Sequence, residues 1–201
     1  MLLNGLKRVG VLGGSFDPVH KGHASLAHDA LEQMQLDKVL FVPASQSPHK
    51  DNAPRVLAAE RLEMLRLALE EEPHFDVFEW ELKQGGVSYS IDVVERLTQS
   101  HPEIRFFWII GADQLAQLPR WKSIDKITNC IEFICARRPG YTQQIPACLS
   151  PSRLHLIEGS YLNISSSIIR ERLEQGENPQ NLLNKKVYEH IKHHNFYQQT
   201  R

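Results

Sequence analysis

The chain has 201 residues, 41% of them apolar, which is enough to bury a real core within one domain. Its formal net charge is -1, so no global field draws it to nucleic acid or an anionic membrane, and any anion site must be built locally. The three cysteines form no CxxC pair, which argues against a disulfide frame or a zinc site, and no apolar run approaches the ~18 residues of a membrane span. With no secretory leader in MLLNGLKRVG, the expected location is the cytoplasm.

In chain order, Val9–Leu12 is a short apolar run bounded by glycines and reads as a buried strand. Gly22–Met34 carries Ala24, Leu26, Ala27, Ala30, Leu31 and Met34 at helical spacing. Val39–Val42 is a second strand, ended by Pro43, and residues 44–54 are a polar, turn-rich loop. Val56–Leu69 is a helix with Leu57, Leu62, Leu65 and Leu69 on its apolar stripe, and Arg61, Glu63 and Arg66 on its wet face. Phe75–Leu82 alternates and reads as a strand, followed by a helix over Ser90–Gln99. Ile104–Ile110, Ile131–Ala136 and Leu154–Ile157 are further strands, and Ser166–Gln175 and Asn184–His194 are terminal helices. Strands alternating with helices, with nearly continuous apolar strands, predict an α/β fold. The expected architecture is a Rossmann-like parallel sheet with helices on both faces. It forms a single domain over 1–201, with a small C-terminal helical subdomain from about residue 160.

In such sheets ligands bind at the carboxyl ends of the strands. Gly13, Gly14, Ser15 and Phe16 lie at one such end, where glycines permit close approach and positive φ. A helix then starts near Lys21–Gly22, and its free N–H groups suit an anion. His20 and His23 are three apart at that start and can face the same way. No third metal ligand stands at an obvious spacing, so no metal site is assigned and phosphate oxygens are the expected partners. The loop lacks both GxxxxGK[ST] and GxGxxG, which argues against a P-loop kinase and an ordinary dehydrogenase. A second anion site is suggested by Ile164-Ser165-Ser166-Ser167-Ile168-Ile169-Arg170, where serines precede a helix.

GGSFDPVHKGH resembles the HxGH signature of the nucleotidyltransferase superfamily, and more narrowly that of the bacterial nicotinate mononucleotide adenylyltransferases. The resemblance runs from residue 8 to about 195 through five motifs in family order. ISSSIIR resembles the family's ISSTxxR, with Ser167 for threonine. PASQSPHK resembles PxxxPPHK, with Ser47 for proline. The stretch from Ser88 to Asp92 resembles SYTxDTL, with Ser90 and Val93 for its threonines. Gly111–Trp121 resembles GxDxLxxLxxW.

By that resemblance His20, His23, Lys50 and Arg170 carry catalysis. ATP would be bound by Gly13, Gly14, Ser15, Phe16, His20, His23, Gly111, Asp113, Ile164, Ser165, Ser166 and Arg170. The mononucleotide would be bound by Ser15, Lys50, Ser88, Tyr89, Ser90, Asp113, Trp121 and Arg138, with Trp121 stacking on the pyridine ring. The implied reaction joins ATP and nicotinate mononucleotide into deamido-NAD and pyrophosphate, with Mg²⁺ bridging the phosphates and held mostly by nucleotide and water. Nicotinamide mononucleotide as acceptor, dual specificity, a pantetheine acceptor and a non-catalytic nucleotide sensor stay open. A tRNA synthetase does not fit the length. Oligomeric state is open, with a homo-oligomer allowed. His190, His193 and His194 read as a solvated helix end.

Overall fold

The computed structural model describes residues 3–46, 54–137, 144–159 and 164–198. Six strands form one parallel sheet: β1 (Arg8–Gly14), β2 (Lys38–Pro43), β3 (Phe75–Val77), β4 (Arg105–Ile110), β5 (Glu132–Arg137) and β6 (Leu154–Glu158), in the order β3-β2-β1-β4-β5-β6. The helices are α1 (Lys21–Gln33), α2 (Ala58–Leu69), α3 (Trp80–Gln84), α4 (Ser90–Ser100), α5 (Ala112–Gln117), α6 (Ile124–Cys130), α7 (Ser166–Glu174) and α8 (Lys185–His194).

Side chains alternate across a strand, so a continuously apolar strand must be covered on both faces. Strand β4 obeys this: Phe106, Trp108 and Ile110 pack on one face with Ile91 and Val94 of α4 and Ile127 of α6. Phe107 and Ile109 pack on the other with Ala27 and Ala30 of α1, Met64 and Leu65 of α2, and Val187 and Ile191 of α8. Ile169 and Leu173 of α7 and Tyr197, after α8, join this second cluster, so α7 and the segment after α8 pack on the sheet.

Two expectations are corrected here. The strand predicted over Phe75–Leu82 stops at Val77, and Trp80–Gln84 is helical. Alternation breaks at Val77-Phe78, and Gly85, at φ +69, closes the short helix. Within α2, Leu57 is 76% exposed whereas Arg61 is 1% exposed, so the stripe is rotated towards Arg61, Met64, Leu65 and Leu69. Helices α5 and α6, of 6 and 7 residues, went unpredicted because two turns are too short to show a period.

Candidate active site

Strand order reverses between β1 and β4, which opens a crevice at their carboxyl ends. Gly13 and Gly14 end β1 there, and Gly111 follows β4 as the N-cap of α5. Neither Gly13 nor Gly14 has positive φ; that conformation falls on Phe16, at φ +47 and 1% exposed. What Gly14 provides is space, since a Cβ there would lie 3.1 Å from the Phe16 ring.

His20 is the N-cap of α1 and His23 sits one turn on. Their rings stack at 3.7 Å between centroids, and His23 also meets Phe16 edge-on at 4.9 Å. Gly22 leaves room for this stack, since a Cβ there would lie a tight 3.1 Å from His20 Nδ1. The backbone N–H of His20 donates to His23 Nδ1 at 3.2 Å, which leaves the ring proton of a neutral His23 on Nε2. Burial lowers the His20 pKa to about 4, and its Nδ1 has no hydrogen-bond partner among the described residues. At neutral pH His20 is therefore an uncharged ring, not the cation implied by a purely electrostatic reading.

That burial makes stability acid-sensitive. Below pH 6.5 the unfolded chain takes up a proton that the folded ring refuses until about pH 4, so acid favours unfolding across that window. Unfolding free energy from urea titrations should fall by about 2 kcal/mol more between pH 7 and pH 5 in the natural protein than in His20→Gln.

Helix α7 meets this loop. Ser165 caps it, accepting from the Ile168 N–H at 3.2 Å, and Ser166 Oγ donates to Pro18 O at 2.9 Å. Arg170 donates to Asp17 O at 2.6 Å and to Ser167 Oγ at 3.1 Å. Ile164 lies beside Gly22. The two sequence motifs, some 140 residues apart, thus form one wall.

The junction turns on Asp17, 4% exposed, whose carboxylate accepts from Tyr197 Oη at 2.7 Å and from the Arg55 N–H at 2.9 Å, with Arg170 at 3.8 Å. Burial and this carboxylate push the Tyr197 phenol far up. Tyr197→Phe should lower stability by about 1–2 kcal/mol in denaturant titrations, since it strips a buried acceptor of its donor.

Arg61 contradicts its predicted place on the wet face. Its guanidinium donates to Ser15 O at 2.6 Å, Ala44 O at 2.7 Å and Ser45 O at 3.1 Å, tying the loop after β1 to the loop after β2. A fork of donors suits three carbonyls. The sequence signal was present: Arg61 shares an i, i+4 stripe with Leu65 and Leu69.

Beside this wall lies a cavity of about 150 Å³, lined by Gly13, Gly14 and Ser15, by Ser88, Tyr89 and Ser90 at the start of α4, and by Trp108 and Trp121. Trp121 stands edge-on to Trp108 and Phe133 and is half-buried, so it is both packed and a wall of the cavity. Tyr89 caps α4 without a side-chain bond, leaving first-turn N–H groups beside the cavity. Ser88 Oγ accepts from the Ser45 N–H at 2.9 Å. The charged lining residues were missed from sequence: Glu81, 7% exposed, and Lys122, whose ammonium sits 4.0 Å from the Tyr89 ring centre. Asp113 lies exposed in the first turn of α5, outside the cavity lining. Lys50 and Arg138 lie outside the described residues.

Residues 11–172 match the cytidylyltransferase-like family. The chain belongs to the cytidylyltransferase-like family. The chain is similar to a protein from Halalkalibacterium halodurans named "Probable nicotinate-nucleotide adenylyltransferase", 42% identical over 173 residues, which cover 86% of this chain and 82% of that one. A protein of the same name from Shouchella clausii is 38% identical over 192 residues, 96% of this chain and 97% of that one. Among solved structures, the Plasmodium falciparum nicotinic acid mononucleotide adenylyltransferase complexed with NaAD superposes with a TM-score of 0.78 at 19% identity, covering 95% of this chain and 97% of that one. The fold is therefore shared at low sequence identity.

Proposed function

We propose that this protein transfers the adenylyl group of ATP to nicotinate mononucleotide, giving deamido-NAD and pyrophosphate. The observation that carries this is the meeting of the His20–His23 turn with the α7 N-terminus and Arg170, next to an aromatic-walled cavity. The names of the curated relatives support the same reaction.

A mononucleotide phosphate oxygen attacks the α-phosphorus of ATP in line. The new P–O bond forms as the bond to the bridging oxygen breaks, and pyrophosphate leaves with that electron pair. Such transfers need positioning and charge stabilisation rather than a protein nucleophile. Arg170 supplies fixed positive charge, His23 a donor at Nε2, and α1 and α7 their first-turn N–H groups. Among the described residues no three His, Cys, Asp or Glu side chains converge on a metal. The reaction implies MgATP as the substrate form, whose Mg²⁺ would neutralise phosphate charge. First-turn N–H groups of α4 and the Lys122 ammonium make the cavity suited to a ring that bears a carboxylate. Among the described residues no helix is long and apolar enough to cross a membrane.

Pyrophosphate release is the test, with MgATP and either nicotinate or nicotinamide mononucleotide. A kcat/KM about 100-fold or more in favour of the acid is expected, about 2.7 kcal/mol of discrimination. Equal rates would remove the acid assignment, and release with neither would remove the proposed function.

A further inference from the structure

Glu81 is an expensive residue to keep where it stands. It is 7% exposed, on the short helix α3, and lines the cavity with Ser88, Tyr89, Trp108 and Trp121. An ionised carboxylate in such a site needs a partner. No cation pairs with it among the described ion pairs; its hydrogen-bonding neighbour is the Ser88 hydroxyl. Ser88 Oγ accepts from the Ser45 N–H and donates its own hydrogen to the Glu81 carboxylate. The charged groups around it are Asp92 of α4, of like sign, and Lys122, which lines the same cavity from the segment before α6. Burial, helped by Asp92 and opposed by Ser88, pushes the Glu81 carboxyl up to about 7.

We propose that Glu81 is the specificity-determining residue of the cavity, discriminating between a carboxylate and an amide on the substrate's pyridine ring. The proposal rests on the reading of this cavity as the ring site. A protonated Glu81 can donate to a ring carboxylate, and the cavity then carries the Lys122 charge unopposed. An ionised Glu81 repels that carboxylate and accepts instead from an amide NH₂. The preference for the acid therefore weakens as pH rises through neutrality.

The experiment compares kcat/KM for nicotinate and nicotinamide mononucleotide from pH 6 to pH 8.5, in the natural protein and in Glu81→Gln. The phosphate and the site histidines are common to both substrates, so the acid-to-amide ratio isolates the ring. In the natural protein the ratio should fall about tenfold across the range, centred near pH 7. In Glu81→Gln it should be flat, because the neutral amide cannot ionise. A flat ratio in the natural protein overturns the inference, and this arm needs no variant to fold. A ratio that falls equally in Glu81→Gln also overturns it. Turnover of neither substrate at any pH overturns the reading of the site, and the inference with it.

Discussion

His23→Ala is expected to lower kcat about 10²–10³-fold, the usual effect of deleting one donor aimed at transition-state charge. The His23 ring lies between His20 and Phe16, and its Nδ1 is occupied by the His20 N–H. In the proposed reaction Nε2 is therefore the atom that would donate to a phosphate oxygen. Because that bond strengthens as charge develops, kcat and kcat/KM should fall together while KM for ATP changes little. Stability should suffer far less: one hydrogen bond and one stacked ring are lost, about 1 kcal/mol, or about 2–4 °C in Tm for a chain of this size. His23→Gln, which keeps a donor, should recover part of the rate. A His23→Ala enzyme with undiminished kcat would remove His23 from the catalytic set.

Arg61→Met is expected to be the most destabilising single change in the site. The apolar replacement fills much of the volume but leaves the carbonyls of Ser15, Ala44 and Ser45 without their donors. The three acceptors are part-buried, so each stripped of its donor costs about 1 kcal/mol, and together with the loss of a buried cation near Asp17 the sum is about 3–5 kcal/mol. The expected fall in Tm is about 10 °C or more. Arg61→Lys should rescue little, because one ammonium does not span three carbonyls arranged for a guanidinium. Arg66→Met is the control: that side chain is 54% exposed and paired at the surface with Glu79, so its loss should stay within about 1 kcal/mol. Equal effects of the two methionine substitutions would show that Arg61 does not hold the loops.

What was legible in the sequence is what periodicity and local motifs encode. The β4 run RFFWII alternates between two apolar faces, and both faces are covered. The HxGH turn and the ISSSIIR helix start were legible as separate local motifs because each is built from residues close in sequence. Their union depends on Ser166 and Arg170 reaching the carbonyls of Pro18 and Asp17, contacts across about 150 residues that no local pattern records. Tyr197 on Asp17 spans 180 residues and was invisible for the same reason. Arg61 and Glu81 were missed differently. Charged residues are rarely buried, so Arg61 was placed on a wet face and Glu81 was given no role, and only their three-dimensional neighbours reveal why both are buried. The protonation state of His20 was not legible either, because burial, which sequence does not report, keeps its ring neutral.

The most direct test of the whole account is a crystal structure of the protein with deamido-NAD bound. The dinucleotide should span the crevice, with a phosphate oxygen within hydrogen-bond reach of His23 Nε2 and Arg170 close to the phosphates. The pyridine ring should lie in the cavity against Trp121, its carboxylate facing the α4 N-terminus and the neighbourhood of Glu81. A dinucleotide whose ring lies outside that cavity, or whose phosphates bypass His23, would contradict the account.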